Sequence, residues 1–424
     1  MLPIVGNWSQ TLSSNGVPTS SDPYDGLNAG SFIALSSINP TNWTRSYSRA
    51  GYIDPLPPRS NLAILPNATV TRIIFSSSSS GNLTASSVEY ASSLGSGTPT
   101  STVNVTREVI LAGGSIGSPH VLMHSGIGPS DVLNSAGVTV LLDLPGVGQH
   151  LQDHISAGVS WQTTADTSAS LRAAGAADGV ADGTSSAFLS FVNAAEAYLN
   201  LTYLLGSSSA AETFAQNVTA MLSTYAGSVV PSSDSTVKAG YEAIYNVTAN
   251  TFMCSELGHV ELLLSAQGQS GSSNQTIEIQ AALQHPLSQG RLYITSSSPF
   301  TYPSIDPQYL SHNADLVLYR EALKLARQVG QTPPLSQYLV SEVTPGSSVQ
   351  TDDDWDNWLA NNIETEYHPQ GTCAMLPKEQ GGVVNARLQV YGTSNVRVVD
   401  ASVFPIAFAA HVSRLITCLI PLMV

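Results

Sequence analysis

An apolar strand that runs into glycines and then into a helix is the part of this sequence that most constrains its fold. Residues 105–114 read VTREVILAGG, and residues 117–127 read GSPHVLMHSGI. Strand, glycine-rich turn and helix in that order predict an α/β unit of the nucleotide-binding type, because glycines let the backbone approach a ligand closely. A bare glycine-rich pattern also fits a purely structural turn, so the unit by itself does not assign a ligand.

Other elements are predicted from apolar periodicity. The runs HVELLLSA, TIEIQAAL and RLYITSS predict an antiparallel sheet, and NLAILPNATVTRIIF predicts a strand that leads into a hairpin or meander. ADLVLYREALKLARQVG has apolar residues at helical spacing, and WDNWLANNIETEYH follows acidic residues that favour a helix N-terminus. Residues 1–44 are predicted to be loops, and residues 164–240 helices and loops.

Length and charge limit the kinds of protein that this chain can be. A chain of 424 residues exceeds one ordinary core, which predicts two domains. Its formal net charge is −15, with 15 basic against 30 acidic residues. No basic stripe is present to neutralise phosphates, so nucleic-acid binding is not expected. Small neutral substrates fit this charge.

Targeting signals point in two directions. The first ten residues, MLPIVGNWSQ, lack a basic region and are not a signal peptide, and no apolar run is long enough to span a bilayer. We therefore predict no membrane association. Sequons for N-glycosylation favour a secreted glycoprotein instead. They are Asn7, Asn42, Asn67, Asn82, Asn104, Asn200, Asn217, Asn246 and Asn274.

Two histidines near the end of the chain are candidates for acid–base chemistry. His368 lies in EYHPQGTCAMLPKEQGG, a turn rich in Gly and Pro, and His411 ends VVDASVFPIAFAAH, which begins with a short apolar strand. Two imidazoles at the mouth of a buried site can remove a proton from an alcohol, since neutral imidazole is a good base near pH 7. The alternative is that both are loop histidines without a shared role.

Metal binding is not predicted from the sequence. His120 and His124 are four residues apart on a predicted helix, and so are His150 and His154. Such pairs can hold a transition metal. However, the sequence places no third ligand near either pair, and three cysteines match no metal site.

Two long segments carry a resemblance to a known family. They are AGGSIGSPHVLMHSGIGPSDVLNSAGVTVLLDLPGVGQHLQDH and HPQGTCAMLPKEQGGVVNARLQVYGTSNVRVVDASVFPIAFAAHV. Both resemble signatures of the glucose–methanol–choline (GMC) oxidoreductases, flavoenzymes that oxidise alcohols, and glucose-oxidase-like and aryl-alcohol-oxidase-like members are the most similar. The similarity covers most of residues 25–412.

The resemblance implies an α/β fold with an α+β substrate domain. In it, an incomplete Rossmann-like FAD-binding domain (residues 45–155 and 383–424) is interleaved with a substrate-binding domain (residues 1–44 and 156–382), built on an antiparallel sheet with helices. The cofactor implied is FAD, and the reaction implied is oxidation of a small-molecule alcohol by hydride transfer to flavin N5.

Site residues follow from the matching positions. His368 is implied to be the catalytic base, and His411 its partner in binding the substrate hydroxyl. Positions that match family residues near the FAD are Val70, Asp400, Ala401 and Val412. Glu364 stands where glucose oxidases have an arginine, which makes glucose an unexpected substrate. Oxygen and quinones stay open as electron acceptors, and the oligomeric state stays open as well.

The sequence departs from the family at its start. Family members begin with a strand–GxGxxG–helix unit that holds the FAD pyrophosphate, and this chain contains no such pattern. We therefore expect a truncated chain that lacks ~150–200 residues, including one mononucleotide-binding half, and that retains little flavin alone. Two alternatives remain: a hydroxynitrile-lyase-like activity on the same fold, and a non-catalytic remnant or glycoprotein. The family type implies secretion.

Overall fold

A computed structural model describes residues 3–39, 44–77, 81–93, 95, 97–173, 195–269 and 275–411. The strands in these ranges are β1 (Gly30–Ile33), β2 (Ala68–Ser77), β3 (Leu83–Ser92), β4 (Thr100–Asn104), β5 (Val109–Leu111), β6 (Ile127–Gly128), β7 (Leu142–Asp143), β8 (Ile155–Thr163), β9 (Ala195–Leu199), β10 (Val260–Ser265), β11 (Thr276–Leu283), β12 (Arg291–Tyr293), β13 (Ser304–Asp306), β14 (Leu339–Thr344), β15 (Glu364–Thr365) and β16 (Val396–Val398).

Helices in the same ranges are mostly short. They are α1 (Pro3–Gly6), α2 (Trp8–Ser14), α3 (Ser48–Tyr52), α4 (Gly114–His124), α5 (Ser130–Ser135), α6 (Ser168–Ala173), α7 (Leu201–Leu205), α8 (Ser208–Ala220), α9 (Leu222–Ser228), α10 (Ser235–Val247), α11 (Asn313–Gln331) and α12 (Asp352–Leu359). A π-helical turn covers Thr248–Phe252, and 3₁₀ turns cover Leu335–Tyr338, Lys378–Gln380 and Ala401–Val403.

A seven-stranded antiparallel sheet forms the larger layer. Its order is β1-β9-β10-β11-β8-β14, with β15 also paired to β8. Successive side chains of a strand point to opposite faces. In β9, Ala195, Ala197 and Leu199 enter the hydrophobic core, so Glu196 and Tyr198 face the other side. The predicted antiparallel sheet is confirmed for β10 and β11. The third run, RLYITSS, instead contributes β12, which pairs with β13 apart from this sheet.

The long helix α11 covers the core face of this sheet. Apolar residues at helical spacing predicted it, and Leu318, Ala322 and Ala326 are fully buried against the strands. The Tyr319 hydroxyl donates to the Ala281 carbonyl of β11 at 3.1 Å. This packing is the reason that the sheet presents its opposite face to the functional residues.

A smaller layer contains the predicted strand–turn–helix unit. β5 leads through Gly113 into α4, and β5 pairs in parallel with the late strand β16. The meander β2-β3-β4 lies beside it, and the Ser125 hydroxyl accepts from the Ile73 amide at 2.8 Å, which ties β2 to the end of α4. Residues of these elements form a second hydrophobic cluster. The division into domains proposed from the sequence stays a prediction.

Three predicted boundaries were wrong. Residues 1–44 contain α1, α2 and β1 rather than loops alone, because Ile4, Trp8 and Leu12 recur at helical spacing and are buried. The strand predicted from residue 61 begins only at Ala68, since the preceding residues lie exposed in turns. The helix predicted for 355–368 ends at Leu359, and two of its later residues form β15.

One sequon and the membrane prediction can be compared with the fold. Asn200 is buried, caps α7 by accepting from the Tyr203 amide, and donates to Glu256 at 2.6 Å. A glycan on Asn200 is therefore incompatible with this fold, while Asn42 and Asn274 lie outside the described residues.

Among the described helices, none combines the length and apolar character needed to cross a bilayer.

Candidate active site

The two histidines singled out from the sequence come together in space. The rings of His368 and His411 meet edge to face, with centroids 5.2 Å apart. A third imidazole, that of His154, also meets the ring of His368 edge to face, with centroids 5.1 Å apart and the two Nδ1 atoms 3.0 Å apart. The site is therefore a row of three imidazoles, drawn from segments more than 200 residues apart.

The loop that carries His368 is held by the segment before β8. Asp153 is buried, and its Oδ1 accepts from the His368 amide at 3.0 Å, while its Oδ2 accepts from the Tyr309 and Thr365 hydroxyls. The Glu366 amide donates to the His154 carbonyl at 2.9 Å. Backbone and carboxylate contacts thus fix both ends of the turn. Asp153 positions His368 through the backbone amide and not through the imidazole.

Gly371 lets this loop pass close to its neighbour. Its φ is +94°, and a Cβ there would lie 2.2 Å from the His150 carbonyl oxygen. We expect Gly371→Ala to lower the free energy of unfolding by about 2–4 kcal/mol, since the added methyl group displaces backbone and the left-handed conformation is strained. Urea unfolding followed by tryptophan fluorescence measures the change.

A matched control for this substitution is Gly137→Ala. Gly137 also has a positive φ of +74°, but nothing lies within 4 Å of its Cβ position. The strain of the backbone alone costs about 1 kcal/mol, so the difference between the two variants isolates the clash at the loop. Equal losses in both variants would contradict the close passage.

The sheet face opposite α11 supplies carboxylates beneath the histidines. Glu196 of β9 and Glu261 of β10 are both buried, and Glu261 Oε1 lies 3.1 Å from His411 Nε2. Glu196, Glu261 and His411 bring their oxygen and nitrogen atoms within 4.8 Å of one another. Gln284 donates to the second oxygen of Glu261, which keeps that carboxylate oriented.

The surroundings give the two histidines opposite protonation preferences. Burial, followed by the nearby His411, lowers the pKa of His368 to about 4. The contact with Glu261 raises the pKa of His411 above that of free imidazole. Burial and the neighbouring Glu261 raise the pKa of Glu366. At neutral pH the site therefore pairs a neutral His368 with a cationic His411, a combination suited to accepting a proton beside a developing anion.

Contacts also favour one tautomer of His368. Its Nδ1 faces His154 Nδ1 at 3.0 Å and Glu366 Oε2 at 3.7 Å, two groups able to accept a proton. The contact between the two Nδ1 atoms requires one ring to donate and the other to accept. The Glu366 oxygen beside His368 Nδ1 favours His368 as the donor, which leaves Nε2 of His368 as its free basic atom.

Asp400 connects the end of β16 to the start of α4. One carboxylate oxygen accepts from the Gly114 amide at 3.0 Å and from the Ser118 hydroxyl at 2.5 Å, and the other accepts from Ser402. Ala401 begins the following 3₁₀ turn. These contacts bring two of the predicted cofactor positions, Asp400 and Ala401, to the N-terminal end of α4.

The N-terminal end of α4 has features that suit a polar cofactor. A Cβ at Gly114 would meet nothing within 4 Å, so the described residues leave the space beside this glycine open. Gln370, fully buried in the His368 loop, has a side-chain amide oxygen, Oε1, without a hydrogen-bond partner among the described residues. Amide groups of a helix N-terminus also attract anions. The residues present therefore fit the flavin-bearing part of FAD.

The remaining predicted positions are dispersed or not described. Val70 lies in β2 with 38% of its surface exposed, and Val412 lies outside the described residues. His150 and His154 do not share a helix as predicted, because His150 has a positive φ of +58° and bonds to Gln289. His120 and His124 do share α4, with their Nε2 atoms 3.1 Å apart.

Several site residues were missed in the sequence analysis. Asp153, Glu196, Glu261 and Glu366 acquire their roles only through pairing between distant segments. A signal for Glu261 was present, since a charged residue inside the apolar run HVELLLSA requires a polar partner. The equivalent signal in β9 is the glutamate of AEAYL.

Comparisons with known proteins identify the family of this chain. Family models described as GMC oxidoreductase match residues 14–156 and residues 286–419. A GMC oxidoreductase family protein of Malassezia sympodialis is 43% identical over 97% of this chain and 63% of its own length. An FAD-dependent oxidoreductase from Chaetomium thermophilum superposes with a TM-score of 0.88 at 27% identity, over 99% of this chain and 71% of that one. A fungal aryl-alcohol oxidase superposes with a TM-score of 0.83 at 26% identity, over 99% and 69%.

The fold is shared with FAD-dependent oxidoreductases of known structure. The chain belongs to the GMC oxidoreductase family, whose members are FAD-dependent flavoproteins. It spans less than two thirds of the length of the Malassezia relative. The resemblance noted in the sequence is confirmed.

Proposed function

We propose that this protein acts as an FAD-dependent oxidoreductase on CH–OH groups, with His368 as base and His411 as its partner. The observation that carries the proposal is the contact between a neutral and a cationic imidazole, 5.2 Å apart, above buried carboxylates. Similarity to an aryl-alcohol oxidase supports a primary alcohol as substrate.

The residues of this chain handle the proton of the substrate. Nε2 of His368 takes it from the hydroxyl, while the cationic His411, oriented by Glu261, donates a hydrogen bond to the oxygen that becomes negative. Asp153 and Gly371 fix the loop, which keeps His368 in position to accept the substrate proton. Bound FAD supplies the acceptor for the hydride.

Cofactor positions remain part of the proposal. Asp400, Ala401 and Val412, with Val70 on β2, are proposed to lie against the FAD. Asp400 acts indirectly, since both of its oxygens are occupied by Gly114, Ser118 and Ser402, and it orients the backbone amides that face the cofactor.

The function is tested by anaerobic reduction of the flavin. Benzyl alcohol and butanol are mixed with the FAD-loaded protein, prepared as a fusion to a family GxGxxG unit, and loss of the absorbance band at about 450 nm is followed. Bleaching by either alcohol supports an oxidoreductase. Cleavage of mandelonitrile without bleaching by any alcohol would favour the lyase alternative and overturn the proposal.

Flavin retention by residues 1–424 alone is a separate prediction. We expect the purified chain to hold far less than one FAD, because it contains no GxGxxG unit and the pyrophosphate depends on such a unit for most of its contacts. Absorbance and protein concentration give the ratio. Fusion of a family GxGxxG unit to the N-terminus is expected to restore a stoichiometric band. A full flavin band without that unit would contradict the prediction.

A further inference from the structure

Three side chains of the site have the composition of a metal centre. His154, Glu366 and His368 bring two imidazole nitrogens and one carboxylate oxygen within 4.8 Å of one another. Two histidines and a glutamate are the protein ligands of several zinc sites that keep a fourth position open. His154 lies before β8, whereas Glu366 and His368 follow β15.

Distances between these atoms suit a tetrahedral ion. His154 Nδ1 and His368 Nδ1 are 3.0 Å apart, and Glu366 Oε2 lies 3.7 Å from His368 Nδ1. Ligands bound at ~2.0–2.1 Å in a tetrahedron are about 3.3 Å apart. Small side-chain rotations therefore bring all three atoms to one ion.

The backbone aims both later ligands inward. Tyr367 has a positive φ of +60°, and its side chain is 85% exposed. Its neighbours Glu366 and His368 consequently turn together toward His154, and their side chains are only 11% and 16% exposed.

Hydrogen bonding also favours a cation at this position. Glu366 Oε2 is buried without a hydrogen-bond partner in the described structure. A divalent ion placed between Oε2 and the two Nδ1 atoms gives this buried oxygen a partner.

We propose that His154 Nδ1, His368 Nδ1 and Glu366 Oε2 form a binding site for a divalent transition-metal ion of the zinc class, and that occupancy blocks the base. A metal on Nδ1 confines the proton of His368 to Nε2, so this atom no longer accepts a proton from substrate. The inhibitory part rests on the proposed function, whereas the metal site does not.

Metal binding is tested on the chain as purified, without flavin. The protein is stripped with a chelator, titrated with Co²⁺ to follow the visible bands of tetrahedral cobalt, and then titrated with Zn²⁺ against a chromophoric chelator. The His120→Gln variant removes the histidine pair of α4, and we expect it to keep one zinc ion per chain. Absence of cobalt bands and of zinc binding in this variant would overturn the site.

Substitutions locate the ion. We expect Glu366→Gln and His368→Gln each to weaken zinc binding by at least about tenfold, with far-UV circular dichroism unchanged. Glu364→Gln alters an exposed carboxylate two residues from Glu366 and is expected to stay within twofold of the parent. His411→Ala removes the neighbouring cluster with Glu196 and Glu261, and it too is expected to bind normally. Equal affinity in Glu366→Gln and Glu364→Gln, or loss only in His411→Ala, would overturn the assignment.

Inhibition is measured separately on the FAD-loaded fusion. Zinc is expected to slow flavin reduction by alcohol at the concentration that saturates the site. Binding without inhibition would leave the metal site standing and remove His368 as the base, so the two proposals fail in different ways.

Discussion

Replacing His368 by glutamine is expected to slow flavin reduction by an alcohol about 10²–10⁴-fold, the usual contribution of a positioned general base. Glutamine keeps a hydrogen-bonding side chain of similar length but cannot accept the proton. The Asp153 contact is made by the backbone amide of residue 368, so the loop keeps its anchor. Anaerobic stopped-flow absorbance of the FAD-loaded fusion measures the rate.

The matched control for this variant is His120→Gln. His120 lies on α4 and contacts His124 and the Thr301 carbonyl, away from the row of three imidazoles. We expect its reduction rate to stay within about twofold of the parent, as for substitutions that touch no reacting group. A reduction rate unchanged in His368→Gln would rule out this residue as the base, provided that the flavin content is equal.

Replacing Trp8 by alanine is expected to lower the free energy of unfolding by about 3–5 kcal/mol. Trp8 is fully buried in the larger hydrophobic core, and its indole Nε1 donates to the Glu196 carbonyl at 3.0 Å. The substitution leaves a cavity and removes the indole hydrogen bond to the strand that carries a site carboxylate. Urea unfolding followed by far-UV circular dichroism measures the loss.

Two variants separate the contributions of this tryptophan. Trp8→Phe retains most of the volume and is expected to lose about 0.5–1.5 kcal/mol, mainly from the lost indole hydrogen bond to the Glu196 carbonyl. Tyr302→Ala removes a side chain that is 90% exposed and is expected to change stability by less than about 0.5 kcal/mol. A loss in Trp8→Ala no larger than that of Tyr302→Ala would contradict the packing described for α2.

Local sequence patterns were sufficient for the elements with strong periodicity. α11, β10 and the β5–α4 unit were all predicted, because each shows its period or its glycines within one window. α2 was missed because Ser, Asn, Gly and Pro dominate its surroundings, and three buried residues were too few to outweigh that composition.

Site residues could be predicted only where they lie in a long family motif. The family resemblance brought His368 and His411 together, and the geometry agrees. Glu196 and Glu261 meet because β9 pairs with β10 across about 65 positions of sequence, which no local window reveals. His154 was not predicted as a site residue for a related reason. Its spacing from His150 suggested a helical pair, whereas its partner His368 lies 214 residues later.

The bond from Asp400 to the Gly114 amide determines when this site is completed during synthesis. The two residues are 286 positions apart, so at about 5–20 residues per second the ribosome needs roughly 15–60 s to supply the carboxylate after the helix has emerged. During that interval α4 lacks its cap, and β5 lacks the parallel partner β16. A nascent chain stopped before residue 396 therefore leaves this edge open to other strands and to proteases.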